Sequence, residues 1–149
     1  MTAVDSATTL TEVVNAQAAL RGDDIVFEFE ERSTSFAQLD AHTNQIANGL
    51  VALGVKPNER VTYLGKNSDV FFELLLGAMK ANAVMAPVNW RLAGPEVAYI
   101  VEDCKAAVLF VGPEFIDQVR GMAEVNGKVG AVGFCLGGLL AFLDGELTA

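Results

Sequence analysis

The sequence predicts an α/β fold, a single three-layer domain with a mostly parallel sheet. Three observations predict it. Helical and strand-like patterns alternate along the 149 residues with short punctuation between them. Apolar residues make up 52% of the chain, enough for a core shared by both kinds of element. The strand-like runs are short and separated by helix-length segments, the spacing of helices that cover a parallel sheet.

Each element has a local reason. Residues 9–20 are a predicted helix, with Leu10, Val13, Val14 and Gln17 on one face and Gly22 as its stop. Residues 25–31 alternate Ile25, Phe27 and Phe29 with Val26, Glu28 and Glu30, a half-buried strand. Ser35 and Gln38 make a capping-box pattern. The helix that follows carries Leu39, Thr43, Ile46, Leu50 and Leu53 on one stripe and closes at Gly54. Residues 55–58 turn and residues 60–64 are a strand. Ser68 or Asn67 caps a helix over 69–81, and residues 83–88 are a buried strand. Gly94-Pro95 opens a helix that runs to Asp103, since proline fits the first helical turn. Residues 107–111 read as strand, 113–123 as helix, 128–133 as strand and 136–143 as helix.

Charge and composition exclude several classes. The net charge is −9 and the pI about 4.4, with no Lys/Arg cluster longer than a pair. Nucleic acid and anionic membrane surfaces are therefore not expected partners. No apolar run approaches the roughly 20 residues of a membrane span. Residues 1–9 lack the basic and apolar regions of a secretory leader, so none is expected. Cys104 and Cys135 are far apart and there is one histidine, so neither a disulfide framework nor a zinc site is read. Reduced thiols and a cytoplasmic location follow as expectations.

Several ordered blocks carry a resemblance. They are Ser35-Phe36-Ala37-Gln38-Leu39-Asp40 with Asn44 and Ala47; Leu53-Gly54-Val55-Lys56-Pro57-Asn58-Glu59-Arg60-Val61; Lys66-Asn67-Ser68; and Lys80-Ala81-Asn82-Ala83-Val84-Met85-Ala86-Pro87-Val88-Asn89-Trp90-Arg91-Leu92. Together they resemble the amino-terminal region of the acyl-adenylate-forming (AMP-binding) acyl-CoA synthetase superfamily, over residues 1–120. The flavour is that of a medium- or long-chain enzyme. Asn58 and Asn82 stand where that family usually has glycine, and both are read as sites of positive φ. The resemblance implies an incomplete portion of an adenylating-enzyme domain, with these blocks as scaffold. On their own chemistry, Pro87-Val88-Asn89 ends a strand and Arg91 is a potential partner for nearby carboxylates.

Adenylation requires a Gly/Ser/Thr-rich loop followed by lysine to neutralise the polyphosphate, and acidic residues for Mg²⁺. No stretch of the 149 residues resembles that loop. The expectation is a ligase-derived fragment (acid–thiol, AMP-forming by kinship) that does not adenylate alone. No cofactor is expected for this chain alone; ATP, Mg²⁺ and CoA belong to a full-length relative. A truncated parallel sheet leaves an unpaired edge, so the expected partner is a second copy of the chain.

Residues 121–149 read differently. Gly133-Phe134-Cys135-Leu136-Gly137, set between a strand and a predicted helix, fits the G-x-[SC]-x-G nucleophile elbow. The segment 127–142 resembles the dienelactone hydrolase family, which makes Cys135 the candidate nucleophile. The Leu136 amide would serve as half of an oxyanion hole, and a helix amino terminus would lower the thiol pKa. A thiol hydrolase centred on Cys135 and a non-catalytic self-associating scaffold are the two alternative functions. The third group that completes such a site is missing: no histidine follows Cys135, and His42 lies upstream on a solvated helix face. Cys104 reads as a helix-end residue. The acidic residues Asp23, Asp24, Glu28, Glu30 and Glu31 read as a wet strand face, and residues 71–76 as helix core. Gly133, Gly137 and Gly138 do not make the dinucleotide fingerprint.

Overall fold

The computed structural model describes residues 5–126, 131–135 and 139–141, with side chains described through residue 120 and at Met122. The chain forms two compact units interleaved in sequence, Met1–Lys56 with Asn67–Asn82, and Pro57–Lys66 with Ala83–Ala149.

The first unit is helical with a small hairpin. Helix α1 (Leu10–Arg21) starts at Thr9, whose hydroxyl accepts from the Glu12 amide while the Glu12 carboxylate accepts from the Thr9 amide. Strands β1 (Ile25–Phe29) and β2 (Arg32–Ser35) pair antiparallel, with Phe29 opposite Arg32. One strand over 25–31 was the expectation. The chain instead reverses at Glu30, which takes φ 54°, and the polar β2 shows no apolar alternation by which to recognise it.

Helix α2 (Phe36–Ala52) begins at the Ser35–Gln38 capping box and buries Leu39, Thr43, Ile46, Ala47 and Leu50, four of the five residues of the predicted stripe plus Ala47. Gly54 takes φ 80° and its amide bonds to the Val51 carbonyl, closing the helix. Helix α3 (Asp69–Lys80) is capped by Ser68 and buries Leu74, Leu76, Gly77 and Ala78. It ends at Asn82, φ 55°. Val14, Leu39 and Leu76 form the buried core that joins α1, α2 and α3.

Among its described residues the second unit holds a five-stranded sheet in the order β4-β3-β5-β6-β7. Strands β3 (Arg60–Leu64), β4 (Val84–Val88), β5 (Ala106–Val111) and β6 (Ala131–Cys135) are parallel, and β7 (Leu139–Ala141) pairs antiparallel with β6. Helix α4 (Gly94–Asp103), a 3₁₀ turn (Pro113–Phe115) and helix α5 (Ile116–Asn126) lie between the strands in sequence. Val97 and Ala98 of α4 and Val119 and Met122 of α5 bury against Leu64, Val88, Leu109 and Val111. Arg60 donates its Nε to the Cys104 carbonyl, satisfying an orphan acceptor at the end of α4.

Two expectations are corrected here. β4 is an edge strand with only Val88 buried, not a buried one. Its apolar residues read as core because a run of five carries no sign of which sheet position it fills. Residues 139–141 are a strand, where a helix over 136–143 was expected. The Leu139–Ala141 backbone meets β6 with Leu139 opposite Cys135, so it finds its hydrogen bonds across the sheet. The remaining residues of the expected elbow turn and helix, 136–138 and 142–143, lie outside the described residues. The predicted junction at 121–127 falls largely within α5.

Candidate functional site

The chain passes from β3 outward to β4, then crosses back over β3 to β5. The strand order therefore reverses between β3 and β5. In open α/β sheets ligands bind at such a switch point, outside the carboxyl ends of the strands. The segments that leave β3, β4 and β5 there are Gly65-Lys66, Asn89-Trp90-Arg91 and Gly112-Pro113-Glu114.

Close backbone approach sets this corner. The Gly112 amide donates to the Leu64 carbonyl at 2.8 Å. Gly65 and Gly112 are both buried, and a Cβ on Gly112 would lie 3.4 Å from the Gly65 Cα. A Cβ on Gly65 would collide with the Tyr63 hydroxyl and ring, so a side chain there would displace Tyr63. That hydroxyl donates to the Lys66 carbonyl at 2.9 Å and fixes the turn.

Two cations converge on one ring. Lys66 Nζ lies 5.6 Å from the centroid of Trp90, and the Arg91 guanidinium carbon lies 4.2 Å from it. Trp90 is half-buried, its centroid 6.0 Å from that of Phe115. The Asn89 carboxamide oxygen accepts from the Arg91 amide at 3.0 Å, holding the turn that presents Arg91. Glu114 approaches Lys66 at 3.8 Å, a loose and exposed pair. Lys66 and Arg91 are both exposed, so this rim offers two positive charges and an aromatic plane to an anionic group.

The sequence-predicted candidates fall elsewhere. Cys135 is the last residue of β6; its side chain lies outside the described residues, as do residues 136–138. His42 is in the first unit, where its Nδ1 meets Glu73 Oε1 at 2.7 Å across α2 and α3. Cys104 caps α4, and its thiol donates to the Val101 carbonyl at 3.6 Å. Asp23, Asp24, Glu28, Glu30 and Glu31 are exposed. Among the described residues no group of three or more His, Cys, Asp or Glu side chains is placed to hold a metal ion. Among them, too, no helix is long and apolar enough to cross a membrane.

Sequence reasoning singled out Arg91 but not its stacking on Trp90, nor the approach of Lys66. It also missed a bidentate ion pair of the first unit. Arg32 Nε and Nη2 each reach an Asp69 carboxylate oxygen at 2.7 Å, and Asp69 is buried. That guanidinium holds the Asp69 carboxyl below the usual carboxylate range. On α3 the same side of the helix carries Glu73 to His42, and Lys80 to Asp40 at 2.6 Å.

Comparison with known proteins bears on the family and the fold. A family model described as AMP-binding enzyme matches residues 14–136. The fatty acid–[acyl-carrier-protein] ligase ScoC of Streptomyces coeruleorubidus is 44% identical over 93 residues, covering 62% of this chain and 18% of that protein. The indoleacetate–CoA ligase of Aromatoleum aromaticum is 36% identical over 125 residues, 84% of this chain and 24% of that protein. Among solved structures, the N-terminal domain of FACL13 from Mycobacterium tuberculosis superposes with a TM-score of 0.77 at 28% identity, over 85% of this chain and 34% of that one. The anthranilate CoA ligase AuaEII, solved with anthranoyl-AMP, gives 0.79 at 26% identity, over 90% and 27%. The chain thus spans 18% and 24% of the lengths of those two curated relatives. The hydrolase resemblance of residues 127–142 gains no support from these relatives.

Proposed function

The chain belongs to the AMP-binding enzyme family, and on that premise we propose that it is the amino-terminal part of an AMP-forming acid–thiol ligase acting on fatty acids. The match of a single family model across residues 14–136 carries this reading. The fatty-acid assignment rests on the kind of relative matched, including the long-chain-fatty-acid–CoA ligase FadD13 of Mycobacterium tuberculosis, 40% identical over 98 residues. A cytoplasmic location goes with the reading.

Such a ligase joins a carboxylate to AMP and passes the acyl group to a thiol. ATP, Mg²⁺ and CoA are its reactants and metal. No Gly/Ser/Thr-rich loop with a following lysine is present in the sequence of 149 residues. No step through ATP or Mg²⁺ is therefore assigned to the residues of this chain. What they supply is a rigid sheet corner and a cationic rim. Lys66 and Arg91, held against Trp90, attract a phosphate or carboxylate of a bound reactant.

A hybrid ligase tests this. Residues 14–120 replace the matching segment of the Mycobacterium tuberculosis enzyme, and fatty-acid-dependent AMP formation is measured. The hybrid is expected to be active. Arg91→Ala in the hybrid is expected to raise the KM of an anionic substrate about tenfold, the worth of one charge-assisted contact. A folded hybrid with no activity, on a chain that still melts cooperatively, counts against the ligase reading. An active hybrid indifferent to Arg91→Ala counts against the rim alone.

A further inference from the structure

A second copy of the chain was the expected partner, docked through an open sheet edge. Among the described strands the sheet has two edges, β4 and β7, and β4 is the one at which the parallel part ends with no strand beyond it. Its hydrogen-bonding register is fixed by one contact: the Val84 amide donates to the Glu59 carbonyl at 2.8 Å, toward β3. Amides alternate in direction along a strand, so those of Ala86 and Val88 also face β3. Met85 and residue 87 face outward. Residue 87 is proline, which has no N–H and whose ring stands in the path of an added strand. The outward edge therefore offers Met85 as its only complete donor–acceptor residue within β4.

We propose that Pro87 closes the β4 edge against strand addition, so that a second copy of this chain does not pair there. The reason is specific to an isologous pair. Two β4 strands related by a twofold axis run antiparallel, and each brings its own Pro87 to the seam, so the block counts twice. Proline on an exposed edge is one of the ways folded proteins prevent sheet-to-sheet pairing. The side chain of Pro87 is exposed, so its replacement does not open a cavity in the core.

The test compares the wild-type chain with Pro87→Val and Pro87→Ala by sedimentation velocity over a range of concentrations. Val84→Cys, placed in a Cys104→Ser, Cys135→Ser background, reports pairing at this edge by cross-linking between copies. Far-UV circular dichroism and melting establish that each variant is folded. Both Pro87 variants are expected to self-associate at least about tenfold more tightly than wild type, a restored ladder bond in each copy being enough. The Val84→Cys chain is expected to cross-link only when Pro87 is also replaced. Cross-linking of the Val84→Cys chain with Pro87 in place overturns the proposal. So do folded Pro87→Val and Pro87→Ala chains that associate no more than wild type. Neither result bears on the ligase reading, which does not involve this edge.

Discussion

At the scale of single residues, Asp69 is the clearest case of a role that only the folded chain reveals. Its position at the start of α3 reads as an ordinary acidic residue near a helix amino terminus. Its bidentate partner, Arg32, lies 37 residues away on a strand the sequence did not disclose. Nothing local signals that pairing. Removing the guanidinium leaves a buried carboxylate with poor solvation, so Arg32→Ala is expected to lower the melting temperature. Asp69→Ala is expected to cost about 1 kcal/mol, less than a fully buried pair because water reaches the Arg32 side of the contact. The pH dependence has a definite sign. The Asp69 carboxyl is depressed in the folded state by Arg32. Its contribution is fully present above the unfolded value of about 4 and is lost as pH falls through the lower, folded value. Melting curves from pH 6 to pH 2 are expected to show wild type losing stability that Asp69→Asn lacks at every pH. Parallel curves for the two proteins would contradict this. By contrast, Asn58 and Asn82 were legible. Their residue type and turn context predicted positive φ, and they adopt 67° and 55°.

At the scale of elements, periodicity and caps located most helices to within a few residues. Ser35 with Gln38 and Ser68 start α2 and α3 as read, and the Leu39, Thr43, Ile46 and Leu50 stripe is buried. What periodicity cannot show is where two helices touch. Gly77 reads as a weak helix residue, yet it lies at a close approach of α3 to α2. A Cβ there would fall 2.5 Å from Ile46 Cγ2. Gly77→Ala is expected to destabilise by about 1–3 kcal/mol despite alanine's better helix propensity, because neither helix backbone yields easily. Chemical denaturation measures it, and Ile46→Ala in the same chain is expected to recover part of the loss. A gain in stability from Gly77→Ala would show the crossing to be looser than described. The failures at β2, β4 and β7 share a cause. Strand identity is decided by pairing partners distant in sequence, and short runs such as Arg32–Ser35 or Leu139–Ala141 carry too few residues to declare a period.

At the scale of the whole molecule, the motif blocks of residues 35–92 were enough to identify the family, and their order matters more than any one of them. The sequence reading put its candidate nucleophile at Cys135 and took the block that contains Arg91 as scaffold, so the cationic rim was not read as a site. Arg91 was visible as a cation after a strand-ending Pro-Val-Asn, but its meeting with Lys66 over Trp90 requires the strand order β4-β3-β5, which brings three loops to one corner. The net charge of −9 gives no hint of a local cationic rim. In the proposed reading the chain supplies scaffold and a contact for an anion, and leaves the chemistry of the phosphates to residues of another part of the ligase fold. The most direct test is pyrophosphate release from ATP by the purified 149-residue chain, measured with and without saturating fatty acid. No fatty-acid-dependent release above the buffer rate is expected. Release that rises with fatty acid and persists through purification to homogeneity would contradict it, because these residues would then hold the triphosphate themselves.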